Sequence, residues 1–428
     1  MQRIRQYVYP TDFIRIGDMV KDFFECFKYY VFRLEYSLDD YQNQRIPWTY
    51  QTFRRAIWIT LNSWINILSF LHLIVYPTNI ELKTMKNFES ELQFDRCDLI
   101  FPPSIFVFVM LEYFWFTLFH EILTYKFKVS QLIVKYSHFN NDHLEPEYHR
   151  YITRFSHIGN FASNTLNVVV VINEIIFYLL IIHRIYSFYL NDEISMFFMI
   201  IFILLITNSS YRIEYMAGQL FVAMKYLLFI NEFFKIQLKR LVIHLRWTIK
   251  LDRFLLLSKR RSIWTRFMKK YVQLYYEVAI FNKTISGVFL DIEAISKCSI
   301  VFCIMFYSKQ IHMNIHNTII VILSLAPFIY TNGLYSRVAQ FPQFNQIASQ
   351  KMMQWLARSQ YRRHYRHDRN RLFIRDIIKS NLFVQTMSKN RFGISCGQVF
   401  FITKFKFVEL FLLNFVLILM FYKKFCLL

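Results

Sequence analysis

The chain has 428 residues, 55% of them hydrophobic and 19% aromatic, with 48 Phe, 28 Tyr and only seven Gly. So much apolar surface excludes an ordinary water-soluble domain and calls for the bilayer as solvent. A formal charge of +22 suits nucleic acid or an anionic membrane surface, and its placement between apolar runs excludes nucleic acid as a partner.

Residues 1–50 carry Arg3, Arg5, Asp12, Arg15, Asp18, Lys21 and Asp22 without an apolar run, so no cleavable signal peptide is expected. Seven apolar runs follow, measured against the roughly 20 residues a spanning helix needs. The first, 56–76, holds Asn62, Ser63 and Asn66; the second, 99–125, opens at Pro102-Pro103 and carries Glu112 at mid-depth. The third and fourth, 166–190 and 194–221, have strong cores, VVVVINEIIFYLLII and MFFMIIFILLI. The fifth, 285–307, is weaker because Asp291, Glu293 and Lys297 occupy its first half, and the sixth is 318–334.

The seventh, 397–422, is uncharged from Leu410 to Tyr422, and Asn414 is its one strongly polar residue. Thirteen residues rise about 20 Å as a helix, short of the roughly 30 Å hydrocarbon core. Residues 400–403, with Lys404 and Lys406 snorkelling, make up the deficit, or else the helix is buried among others. The row Phe407, Phe411, Asn414, Ile418, Phe421, Phe425 suits burial. An ordinary span with an incidental Asn fits the same spacing.

Lys and Arg follow the alternation that orients membrane proteins. Residues 1–55, 126–160, 226–284 and 337–396 hold nine, five, thirteen and twelve of them. The alternate segments 77–98, 191–193 and 308–317 hold three, none and one, and two follow Tyr422. The expected fold is therefore all-α, a polytopic membrane protein with seven transmembrane helices, a cytosolic amino terminus and an extracellular carboxyl terminus. Segments 226–284 and 337–396 repeat apolar residues near helical spacing. They read either as downward extensions of the spans or as separate helices on anionic lipid. The chain thus divides into a cytosolic segment 1–55, helices one to six over 56–336, a cytosolic helical segment 337–396, and helix seven with its tail over 397–428.

No catalytic, metal or cofactor constellation emerges. His364 and His367 lie among Arg362, Arg363, Arg366, Arg369 and Arg371, a field that repels a cation. His143 and His149, flanking Glu145 and Glu147, read as surface residues. The six cysteines are scattered and suggest no disulfide framework. Glycine-rich phosphate loops and nucleophile motifs are missing, so no enzyme is expected.

Polar groups at membrane depth carry more information, since an ionisable residue in a span is a functional candidate. These are Glu112 and Glu174, with His183 and Arg184 toward the outer end of the third helix. Aromatics crowd the same outer halves: Phe106, Phe108, Tyr113, Phe177, Tyr178, Tyr186, Phe302 and Tyr307. Glu112, Tyr113, Tyr178, His183 and Tyr307 are candidates to surround a small organic ligand. Each aromatic taken singly also suits lipid contact.

The length, the topology, the long basic segment before helix five and the end of the chain resemble the insect-type gustatory receptors, relatives of the insect odorant receptors. The end carries the family pattern in Phe392-Gly393-Ile394-Ser395-Cys396-Gly397, followed by Phe400 and Ile402. The second half departs from it: Leu413-Asn414 stand for Thr-Tyr, five hydrophobics follow over 415–419, and Met420-Phe421 stand for Gln-Phe. This is the pattern of a divergent member. The resemblance implies a chemosensory subunit of a ligand-gated nonselective cation channel in the plasma membrane. It further implies a homo- or hetero-tetramer with related subunits, a cytosolic anchor built from helix extensions, and a tastant pocket opening outward among helices two to six. Helix seven would line the pore through Asn414, Ile418, Met420 and Phe421. A transporter is the alternative, disfavoured by an odd span count without paired helix breaks. A G-protein-coupled receptor has the opposite charge bias.

Overall fold

The computed structural model describes residues 16–37, 39–40, 43–79, 81, 86, 101–124, 145–191, 195–251, 257–310, 313–365 and 374–426. His143, His367 and Cys97 lie outside them. Among the described residues, most of each apolar run of the sequence falls on a helix, except that the seventh begins in a hairpin over 397–403. In chain order these are α1 (Ile16–Phe27), α2 (Tyr50–Val75), α3 (Phe101–Leu123), α4 (Pro146–Leu190), α5 (Met196–Leu251), α6 (Leu257–Lys309), α7 (Ile315–Val338), α8 (Gln340–Tyr365), α9 (Ile374–Lys389) and α10 (Lys404–Cys426). A π-helical turn (Lys28–Phe32) continues α1, and a small hairpin, β1 (Ser395–Cys396) with β2 (Phe400–Phe401), precedes α10.

Local chemistry sets several of the ends. The Thr49 hydroxyl accepts from the Thr52 amide at 3.4 Å and caps α2, which stops just before Pro77. Pro146 opens α4, where its missing amide costs nothing. Elsewhere helices run on past the apolar stretch: α4, α5 and α6 are 45, 56 and 53 residues long. A 56-residue helix is about 84 Å long, far beyond a hydrocarbon core. The basic, periodically apolar segment 226–284 is thus mostly a continuation of α5 and α6.

Among the described residues, six helical stretches are long and apolar enough to cross a membrane: on α2, α3, α4, α5, α10, and one covering 317–358. The expected fifth span, on α6, does not qualify, since Asp291, Glu293 and Lys297 dilute its apolar run.

The chain forms two compact units. The first comprises 1–227, 290–332 and 411–428. In it α1 buries Met19, Val20, Phe23, Phe24 and Phe27, and the rings of Phe23 and Phe27 pack on Tyr226 at centroid distances of 6.2 and 4.8 Å. The second comprises 228–289 and 333–410. There Trp264 meets Trp355 and Phe383, and the Tyr271 hydroxyl donates to Asn345 Oδ1 at 2.6 Å. Burial pushes that phenol's pKa up. The hairpin is tied to α6 by the Gly397 amide on the Ser286 carbonyl (2.7 Å) and the Ser395 amide on Asn282 Oδ1 (2.7 Å). Gly397 has φ 56°, a left-handed conformation that favours glycine.

Candidate functional site

The most concentrated chemistry in the first unit is a buried charge cluster centred on Glu112. Helix α2 contributes to it through its buried stripe, Ile59, Asn62, Ser63, Asn66 and Ile67, at the i, i+3, i+4, i+7 spacing of a packed helix face. Polar residues at those positions have been placed inside, where each needs a partner. Asn66 Nδ2 donates to the Asn62 carbonyl at 2.7 Å, and its Oδ1 accepts from the Ser209 hydroxyl of α5.

Glu112 lies on the buried face of α3 and is 2% exposed. Arg33, 0% exposed, donates Nη1 to Oε2 and Nη2 to Oε1, both at 2.8 Å. This end-on fork is the strong geometry for guanidinium and carboxylate. Arg212 of α5, also 0% exposed, donates Nη2 to the same Oε1 at 2.8 Å and Nε to Ser63 Oγ at 2.8 Å. Arg33 Nη1 reaches Thr60 Oγ1 at 3.2 Å as well.

Aromatic faces close the cluster. The Arg33 guanidinium lies 4.8 Å from the Trp115 ring and 5.8 Å from that of Tyr215, while Arg212 lies 5.5 Å from Phe108 and 5.7 Å from Tyr215. Arg33 follows the π turn with φ 57°, a conformation costing about 1–2 kcal/mol in a residue with a Cβ. Around it, Trp115 Nε1 donates to the Phe32 carbonyl (3.1 Å), and the Tyr215 hydroxyl donates toward the Tyr29 and Tyr30 carbonyls (2.6 and 2.9 Å). The segment before α2 is thereby pinned to α3 and α5.

The five residues expected around a ligand do not form one group of this kind. Glu112 has its carboxylate committed to two arginines, while Tyr113, next to it, faces away and is 65% exposed. The Tyr178 hydroxyl shares a 2.8 Å hydrogen bond with Thr207 Oγ1 of α5. His183 is exposed, and Tyr307 is 58% exposed.

The four expected pore residues also divide. Asn414 is 6% exposed, and its Oδ1 lies 3.5 Å from Lys297 Nζ, which pairs with Glu293 at 3.2 Å. Ile418 is half-buried, Phe421 is 38% exposed and Met420 67%. Steps of about 100° put Asn414, Ile418 and Phe421 on one face of α10 and Met420 about 120° round from Asn414. Asn414 thus turns into its own chain, and Met420 lies on the outward side.

Arg33 and Arg212 were missed as site residues. The available signal was the triplet Asn62, Ser63 and Asn66 at one-face spacing beside Glu112, which announces a buried polar seam in need of a cation.

A nearly all-helical chain with six membrane-length helices and charges buried beside them has the architecture of a multi-pass membrane protein. No protein-family model matches the sequence, and no curated protein sequence does. Among solved structures the chain is similar to the insect olfactory receptor OR5 from Machilis hrabei, in complex with eugenol, with a TM-score of 0.62 at 10% sequence identity. The likeness covers 96% of this chain and 99% of that one. The chain has that receptor's fold.

Proposed function

We propose that this protein is a chemosensory receptor of the insect gustatory type, working as a subunit of a ligand-gated nonselective cation channel and not as an enzyme. The observation that carries it is the fold likeness to an olfactory receptor over essentially the whole of both chains. The glycine turn at 393–397 leading into α10 supports the gustatory side of the assignment. In this reading seven helices cross the plasma membrane and four like or related subunits surround a pore lined by α10, with Asn414, Ile418, Met420 and Phe421 near the path. A small tastant binds in the outer half, contacted by Tyr113, Tyr178, His183 and Tyr307, with Glu112 behind them holding the helices in place.

Whole-cell recording in cells expressing the chain, alone and with related subunits, tests the assignment. A panel of small organic tastants is expected to evoke a cation current that reverses near 0 mV. Correct surface delivery with no evoked current in any combination would remove the channel function and leave the transporter alternative.

A further inference from the structure

The charge inside the cluster does not balance. Arg33 and Arg212 are fully buried, and a guanidinium does not give up its proton in a protein. Among the described residues, Glu112 is the one carboxylate hydrogen-bonded to either of them. Glu35, on the same stretch of chain as Arg33, is matched to Arg55 at 2.9 Å. One positive charge is therefore left over. Two donors are left over as well: Arg33 Nε and Arg212 Nη1 are buried and meet no acceptor among the described residues. The two guanidiniums share Glu112 Oε1 as acceptor and both lie against the Tyr215 ring. Aromatic rings offset part of the charge but accept no strong hydrogen bond.

We propose that the Arg33–Glu112–Arg212 cluster binds a small monovalent inorganic anion of the halide class, held by Arg33 Nε and Arg212 Nη1. A monovalent ion cancels the surplus charge, whereas a divalent one reverses it. Such an ion is a structural ligand of the segment before α2, because its binding favours the arrangement in which Arg33 is inserted beside Arg212. This inference stands apart from the channel assignment and needs no current to be tested.

The test uses the full chain, purified in detergent or nanodiscs, unfolded thermally while sodium gluconate is exchanged for sodium chloride, bromide or nitrate at constant ionic strength. A saturable rise in the midpoint of about 2 °C or more is expected with the small anions. Arg33→Met leaves one guanidinium on one carboxylate and should abolish the rise; Arg212→Gln should do the same. Glu112→Gln, with two uncompensated cations, should steepen it. Equal behaviour of the wild-type chain in chloride and gluconate overturns the proposal even if no variant folds. A saturable rise that survives in a folded Arg33→Met or Arg212→Gln chain overturns it too, by putting the anion elsewhere.

Discussion

At Glu112 one carboxylate answers two guanidiniums, and this asymmetry ranks the substitutions. Glu112→Leu leaves Arg33 and Arg212 buried without a counter-charge, and breaking a buried pair from one side costs about 3–5 kcal/mol. Arg33→Met leaves Glu112 still bonded to Arg212 and refills part of the space with an unbranched apolar chain, so it should cost less. The thermal midpoints of the two purified variants check the order. If Arg33→Met proves the more damaging, Arg33 acts by pinning the segment before α2 rather than by charge. Glu112 was legible in the sequence because an acid in an apolar run stands out. Its partners were not, because they lie 79 and 100 residues away in the chain. Arg33 passes for one more basic residue of a cytosolic segment, and Arg212 for one at the inner end of a span.

Among the elements, the hairpin before α10 shows why a short glycine pattern can be read reliably. The sequence FGISCG places Gly393 and Gly397 where the backbone has to do what other residues cannot. Gly397 takes the left-handed turn at φ 56°, and a Cβ on Gly393 would come within 2.7 Å of the Phe401 ring and 3.4 Å of Pro342. Gly393→Ala should therefore lower stability by about 1–3 kcal/mol through overpacking. Adding Phe401→Leu, which removes the obstructing ring, should recover part of the loss. A double-mutant cycle of unfolding midpoints measures it, and a strictly additive result would show that the glycine is needed for another reason. The orientation of α10 was less legible. Heptad spacing groups Asn414 with Ile418 and Phe421, but its inward turn shows in a contact with the Lys297 ammonium, 117 residues away.

For the whole molecule, the helices were legible from apolar run length, and the unbroken extension of α5 and α6 was one of two arrangements the basic segments allowed. What remains at stake is the parity of membrane crossings, and it turns on α6. Asp291, Glu293 and Lys297 keep its apolar window below that of a membrane helix, and without it six stretches qualify. Two features favour a crossing nonetheless. Glu293 and Lys297 pair at 3.2 Å one turn apart, which neutralises them locally, and Lys297 also reaches Asn414. Moreover, α6 is about 80 Å long, so the half-buried Asp291 and its neighbours can sit toward one end of the crossing, while 298–307, free of charge, supplies about 15 Å of the core. The Lys and Arg alternation points the same way, since thirteen basic residues lie in 226–284, before the apolar run 285–307 that α6 carries, and one lies in 308–317, after it. Seven crossings put the termini on opposite sides, and six put them together. An epitope after Leu428 should thus be stained on intact cells, and one before Met1 only after permeabilisation. A carboxyl-terminal epitope that also needs permeabilisation would mean that α6 does not cross, and would place both ends of the chain in the cytosol.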